Sequence, residues 1–250
     1  MKRFLSTLRL DVVVQFRQGF YYATIVIVVM WAAILTVLSS SLSASTGSSP
    51  GVQHTPSEFI RGMYPAVMFG NMVITTFMFV GGLVLLEKAQ RVHEGLVVSP
   101  LRVDEYLWSK VGSLTFLVII ESLLITGYAW FLNLFESLNP FWVVLGLAQG
   151  AIALTLAGFV MVIRYNSLNE FLLPASMVTG ILEVPAIRFL GVDDHFLFYL
   201  LPSYGPLLLL ERAQHSLEIW KLVYAFVYPT IWIAICLFWG RSGFRKFIRV

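Results

Sequence analysis

Six apolar runs divide this chain, at residues 21–38, 64–86, 111–134, 141–163, 171–188 and 219–239. Each approaches the ~20 residues that a helix needs to cross the hydrocarbon core of a bilayer. A seventh apolar stretch, 196–210, is short and broken by Pro202, Gly205 and Pro206. It reads as an extracellular re-entrant or interfacial hairpin ahead of the last span, because non-helical backbone is tolerated at membrane depth only when protein or water satisfies it. The pattern predicts an all-α, polytopic membrane protein with six transmembrane helices.

Charge sets the expected orientation. With six spans and an inner N-terminus, the inner side carries 13 of the 17 basic residues, leaving Arg61, Arg188, Arg212 and Lys221 outside. That is the positive-inside pattern, and the inverted topology would reverse it. Both termini are therefore expected in the cytoplasm, and the plasma membrane is the expected location. Counting 196–210 as a span would move the basic tail GRSGFRKFIRV outside, against the same asymmetry.

Composition sharpens the class. The chain is 58% hydrophobic and 12% charged, with a mean hydropathy of +0.80, far from a soluble domain. A net charge of +3, placed beside the spans, does not point to nucleic acid. Cys236 is the single cysteine, so an intramolecular disulfide is excluded. Residues 1–20 read as a membrane-surface helix. Phe4, Leu5, Leu8, Val12 and Phe16 share one face at 100° per residue, with Lys2, Arg9 and Arg17 on another. The first span starts too late and runs too long for a cleaved signal, so it is expected to be retained. The stretch 39–62 is rich in Ser, Thr, Gly and Pro and reads as a flexible outer connection.

The segment LEKAQRVHEGLVVSPLRVDEYLWSK, from Leu86 to Lys110, is charged and punctuated by proline between two spans. Glu87 to Gly95 can continue the second span as a polar helix, with Gly95 as a stopping point. Ser99 and Pro100 have the chemistry of a new helix start, with Arg102 and Lys110 expected near the headgroups. This stretch resembles the hairpin between spans two and three of the permease subunits of ABC-2 type exporters, particularly the small six-span drug-export permeases. The match holds at Glu87, Lys88, Glu94, Leu96, Ser99, Pro100, Leu101, Arg102, Glu105, Tyr106, Leu107 and Lys110. It departs at Arg91, where the family has Gly, and at His93, where it has Leu. RLDVVVQFRQGFYYA and LLPSYGPLLLLERA are similar to the family's interfacial helix and its extracellular re-entrant segment.

The resemblance implies one ABC-2 transmembrane domain over 1–250, with an interfacial helix at 1–20, a cytoplasmic coupling hairpin at 87–110 and a re-entrant segment at 189–218. It further implies a dimer with an identical or related second permease chain. A separate ABC ATP-binding subunit, with its ATP and Mg, would dock at Glu87, Lys88, Arg91, Glu94, Gly95, Ser99, Pro100 and Arg102. The cargo implied is a hydrophobic or amphiphilic, drug-like compound moved out of the cell, as in multidrug efflux. The chain contains no G-x-x-x-x-G-K-[ST] loop to cradle a nucleotide, so any ATP hydrolysis belongs to another polypeptide, and no catalytic residue is expected here.

Polar residues inside the spans complete the inventory. Counting ~1.5 Å per residue puts Glu121, Gln149 and Glu183 at similar depth. They are candidates for a substrate path through the membrane or for interhelical hydrogen bonds. A stand-alone secondary transporter or channel using Glu121 and Glu183 is the alternative function, though it leaves the hairpin pattern without a purpose. Gly146 and Gly150 form a G-x-x-x-G pair that suits either dimerisation or packing within a bundle. Arg188 reads as an interface anchor or ion-pair partner. Asp193, Asp194 and His195, with Glu211 and His215, carry metal-binding chemistry, but their spacing matches no metal motif, and no metal is expected.

Overall fold

The computed structural model describes residues 2–46, 56–90, 103–135 and 138–248. Its α-helices are α1 (Lys2–Arg17), α2 (Phe20–Thr46), α3 (Pro56–Ala89), α4 (Val103–Phe131), α5 (Pro140–Val162), α6 (Leu168–Glu183), α7 (Tyr204–Arg212) and α8 (Ile219–Ile248). Two 3₁₀ helices, Val184–Leu190 and Phe196–Leu200, lie between α6 and α7. No strand occurs among the described residues. Six helical segments are long and apolar enough to cross a membrane: Phe20–Ser41, Arg61–Ala89, Asp104–Phe131, Pro140–Val162, Leu168–Leu190 and Ile219–Ser242. The six expected spans are all present.

The bundle is organised around α3 and α5, which pack on each other and on most other elements. Small residues let the helices close. A Cβ on Gly158 would sit 3.3 Å from Val80 of α3, and one on Gly146 would sit 3.2 Å from Leu209 and Leu210 of α7. The glycines of α5 are thus occupied by contacts within the chain, and the dimerisation reading of the Gly146–Gly150 pair loses its surface. By contrast, α2, α6 and α8 leave large apolar side chains exposed, among them Val26, Leu173 and Phe238, as lipid-facing helices do.

Local chemistry explains the boundaries. Gly19 takes φ +85, a left-handed conformation that suits glycine, and it ends α1 and redirects the chain into α2. α2 runs on to Thr46 and α3 starts at Pro56, so much of the connection expected over 39–62 is helical. Residues 47–55 lie outside the described ones. The fifth span changes from α to 3₁₀ at Val184, one residue before Pro185, whose ring cannot donate the next helical hydrogen bond. Gly191, at φ +97, then closes it.

α7 has 9 residues, about 14 Å of helix, and is far too short to cross ~30 Å of hydrocarbon. It is nevertheless deeply buried, with Tyr204 and Leu207 to Leu210 all at 0% exposure. Gly205 permits this, since a Cβ there would lie 2.2 Å from Pro229 Cγ of α8.

Candidate functional site

Three polar constellations stand out in an otherwise apolar bundle. The first gathers at the end where α3 leaves the bundle and α4 re-enters it. Lys110 of α4 extends its ammonium to Asp11 Oδ1 of α1 at 2.6 Å and to Glu87 of α3. The Tyr106 hydroxyl also donates to Glu87, and the Ser109 hydroxyl donates to Asp11. One turn further along, Gln15 Nε2 donates to Ser113 Oγ at 2.7 Å. The three charged side chains are only 3–9% exposed. One ammonium thus holds two carboxylates from two different helices, and the two stems of the 87–110 segment are tied to each other and to α1.

This cluster corrects one expectation and adds a detail that the sequence did not show. Lys110 is enclosed instead of reaching the headgroups. The face of α1 that packs on the bundle is the one carrying Asp11 and Gln15, while Phe16, Leu10 and Val13 remain about half exposed. At 100° per residue Asp11 and Gln15 fall on the same side of α1 as Leu8, and a Cβ on Gly112 of α4 would sit 3.4 Å from Leu8, so this side meets α4 where Ser109, Lys110 and Ser113 offer polar partners. Sequence reasoning passed over Asp11. Its signal was a lone acid in a helix whose other charges are all basic.

Lys88 is also used structurally. Its Nζ donates to the carbonyl oxygens of Ile163 at 2.8 Å and Tyr165 at 2.6 Å, just past the last turn of α5. A cation there satisfies free carbonyls and suits the negative end of the helix dipole. Arg241 of α8 meets Asp104 of α4 at 3.1 Å on the same end. The remaining residues of the expected coupling set, Arg91, Glu94, Gly95, Ser99, Pro100 and Arg102, lie outside the described residues.

The second constellation is in mid-span. Glu121, at 0% exposure, accepts hydrogen bonds on Oε1 from Asn71 Nδ2 and Thr75 Oγ1, both at 2.9 Å. Asn71 in turn accepts from Trp31 Nε1 at 2.7 Å, so the chain of bonds runs from α2 through α3 to α4. Gln149 lies elsewhere, donating to the Ala225 carbonyl of α8 at 2.9 Å. Glu183 faces α3 from α6, with Oε1 3.9 Å from where a Cβ on Gly70 would stand. Among the described residues no hydrogen bond joins the three.

The third constellation occupies the opposite end. Arg188 donates two parallel bonds to Glu211, at 2.8 and 3.0 Å, and a third to Tyr204 at 2.8 Å. The Tyr204 hydroxyl in turn donates to Asp194 at 2.7 Å, which also accepts from Tyr199 at 2.8 Å and Lys221 at 2.7 Å. Burial pushes the Asp194 carboxyl up, but the bonds from Lys221, Tyr204 and Tyr199 and the nearby Arg188 charge outweigh it and hold it below the usual carboxylate range. Burial and the bond to Asp194 push Tyr199 up to about 12. The acids once considered for a metal are therefore engaged by the chain's own cations, Glu211 by Arg188 and Asp194 by Lys221. His195 instead caps the Phe196–Leu200 turn through the Leu197 amide.

Six long apolar helices with few charged residues inside them define a multi-pass membrane protein. Residues 51–250 match the Fluoroquinolones export permease protein family, and the chain belongs to it. Over 255 aligned residues it is 31% identical to fluoroquinolones export permease proteins of two Mycobacterium tuberculosis strains, CDC 1551 / Oshkosh and ATCC 25618 / H37Rv. The alignment covers 99% of this chain and 97% of each relative. The likeness to small six-span drug-export permeases drawn from the 87–110 segment is borne out, and the chain is an export permease.

Proposed function

We propose that this chain is the transmembrane subunit of an ATP-driven exporter of ABC-2 type, working as a dimer and powered by a separate ATP-hydrolysing subunit docked on the 87–110 segment. The cargo is a hydrophobic or amphiphilic compound moved outward across the plasma membrane, and the names of the relatives make fluoroquinolones the first compounds to try. In this reading both termini and the hairpin are cytoplasmic, α1 lies along the inner membrane surface on its exposed apolar side, and α7 is the re-entrant segment at the outer side.

The observation that supports it is the Asp11–Lys110–Glu87 cluster. A connection that merely joined two spans would have no use for a desolvated ion network at its base. A lever that must carry a partner's movement into the bundle does. The network locks both stems to α1, so displacement of the segment is passed to α1, α3 and α4 together. The stand-alone carrier reading gains nothing comparable, because Glu121 and Glu183 both approach α3 but, among the described residues, share no hydrogen bond.

Co-purification in mild detergent and transport-coupled ATP hydrolysis test the proposal, wild type against Glu94→Lys. Charge reversal at a desolvated docking contact costs ~2–5 kcal/mol, more than a tenfold loss of affinity. The expected result is a folded, inserted permease that no longer retains the ATPase. Transport by wild-type protein with no ATPase present would overturn the reading.

A further inference from the structure

A cavity of about 280 Å³ lies apart from all three constellations, in the cleft between α6 and α8. Both helices flank α5, and among the described residues they make no substantial contact with each other. The floor is Leu154 of α5 with Phe69 of α3, the sides are Val178 of α6 and Trp232 of α8, and residues 200–206 close one end. No charged side chain lines it.

One wall residue is out of keeping with the rest. Ser203 is only 4% exposed, and its hydroxyl has no hydrogen-bond partner. It stands at the N-cap of α7, where a serine ordinarily accepts from the amide at the second or third helical position. The third position here is Pro206, which has no N–H, and Ser203 itself has helical backbone angles, φ −69 and ψ −21, unsuited to capping. The hydroxyl is thus denied its usual use. A buried, unpaired hydroxyl is costly, and natural structures rarely leave one without a reason.

We infer that this cavity binds a neutral, ring-bearing small molecule that carries one hydrogen-bonding group for Ser203. An apolar cavity of ~150 Å³ accepts a single benzene ring, so this one has room for a two-ring skeleton. A charged compound would lose its hydration and find no counter-charge in the lining. A lipid acyl chain would fill the space but leave the hydroxyl unpaired. The site is complete within one chain and does not depend on the proposed ATPase partner, so it stands or falls separately from that reading.

Equilibrium dialysis tests it, using the purified chain in phosphatidylcholine nanodiscs with empty nanodiscs as the partition control. The probes are 2-naphthol and naphthalene, which differ by one hydroxyl. The expected result is saturable binding of about one probe per chain, with 2-naphthol roughly 3–10-fold tighter, the worth of an ordinary hydrogen bond. Ser203→Ala abolishes that preference, and Ala153→Leu or Ala157→Leu, which fill the cavity, abolish saturable binding of both probes. Bound 2-naphthol also slows modification of Cys236, a wall residue, by N-ethylmaleimide. Absence of saturable binding overturns the inference, as does binding untouched by both filling variants in folded protein. Equal affinity of the two probes in wild type, with displacement of both by added oleate, assigns the cavity to an acyl chain and overturns it as well.

Discussion

Lys110 and Asp11 stand 99 positions apart in the numbering, yet their side chains meet at 2.6 Å in a site from which water is nearly excluded. Glu87 shares the same ammonium. Removing one member of a buried ion pair typically costs ~3–5 kcal/mol, because its partner is left charged and desolvated. Replacing a whole set with neutral groups of similar shape often costs little.

Lys110→Met is therefore expected to destabilise the protein by roughly 3–5 kcal/mol, since it leaves two like charges facing each other. It should also loosen α1, seen as faster tryptic cleavage at Arg9 and Arg17. The triple variant Lys110→Met, Asp11→Asn, Glu87→Gln should recover most of the lost stability while still uncoupling transport, since the lock is gone. Thermal unfolding in detergent and limited proteolysis check this. A single variant that melts with the wild type would remove the cluster's structural role.

Topology follows from the basic asymmetry. With Cys236 replaced by Ser, cysteines introduced at Ser45, Asn139 and Asp194 should react with a membrane-impermeant maleimide on intact cells. Those at Arg91, Pro100 and the tail around Arg245 should react only after permeabilisation. External labelling of the tail would contradict six spans with both termini inside.

How much of this was legible beforehand depends on which physical signal carried it. The spans announced themselves through apolar length, and the break at 196–210 through Pro202, Gly205 and Pro206. Arg188 was suspected of an ion pair, but Glu211 could not be chosen over other acids without knowing that α7 folds back beside the fifth span. Lys110 was misplaced for a related reason. Lysine at a span end ordinarily reaches for the headgroups, and only the packing of α1 and α3 against α4 reveals the two carboxylates that hold it inside. Along α1 the apolar periodicity picked out Leu8 and Val12 but not Asp11 and Gln15 beside them, because a polar residue next to an apolar stripe shows its partner only once α4 is packed against it.

The Asp194 network has a definite pH signature. Its carboxyl is held below the usual value, so its contribution is fully present above the unfolded pKa of ~3.9 and is lost as pH falls through the lower folded value. Between pH 5 and 8 the network should be insensitive to pH. Lys221→Met removes one of the groups that hold the carboxyl down, so the onset of acid destabilisation should move to higher pH. Melting temperature measured from pH 3 to 7, variant against wild type, checks this. An unchanged onset would show that Tyr199, Tyr204 and Arg188 suffice without Lys221.

Glu121 is the mid-span residue whose two roles separate most cleanly by substitution. Its Oε1 takes both donors, from Asn71 and Thr75, while Oε2 has no partner. Glutamine keeps an acceptor oxygen in that place and presents an amide where Oε2 was, so Glu121→Gln should leave stability and transport within about twofold of wild type, a few tenths of a kcal/mol. Leucine fills similar space but orphans two buried donors, and Glu121→Leu is expected to cost ~1–3 kcal/mol for each group left unsatisfied. The loss should appear as separation of α3 from α4 and a lower melting temperature, with substrate preference unchanged in whatever protein remains folded. Transport of several hydrophobic compounds by both variants decides the matter. A shift in preference with Glu121→Gln, at unchanged stability, would place this carboxylate on the route of the cargo and not in the frame that surrounds it.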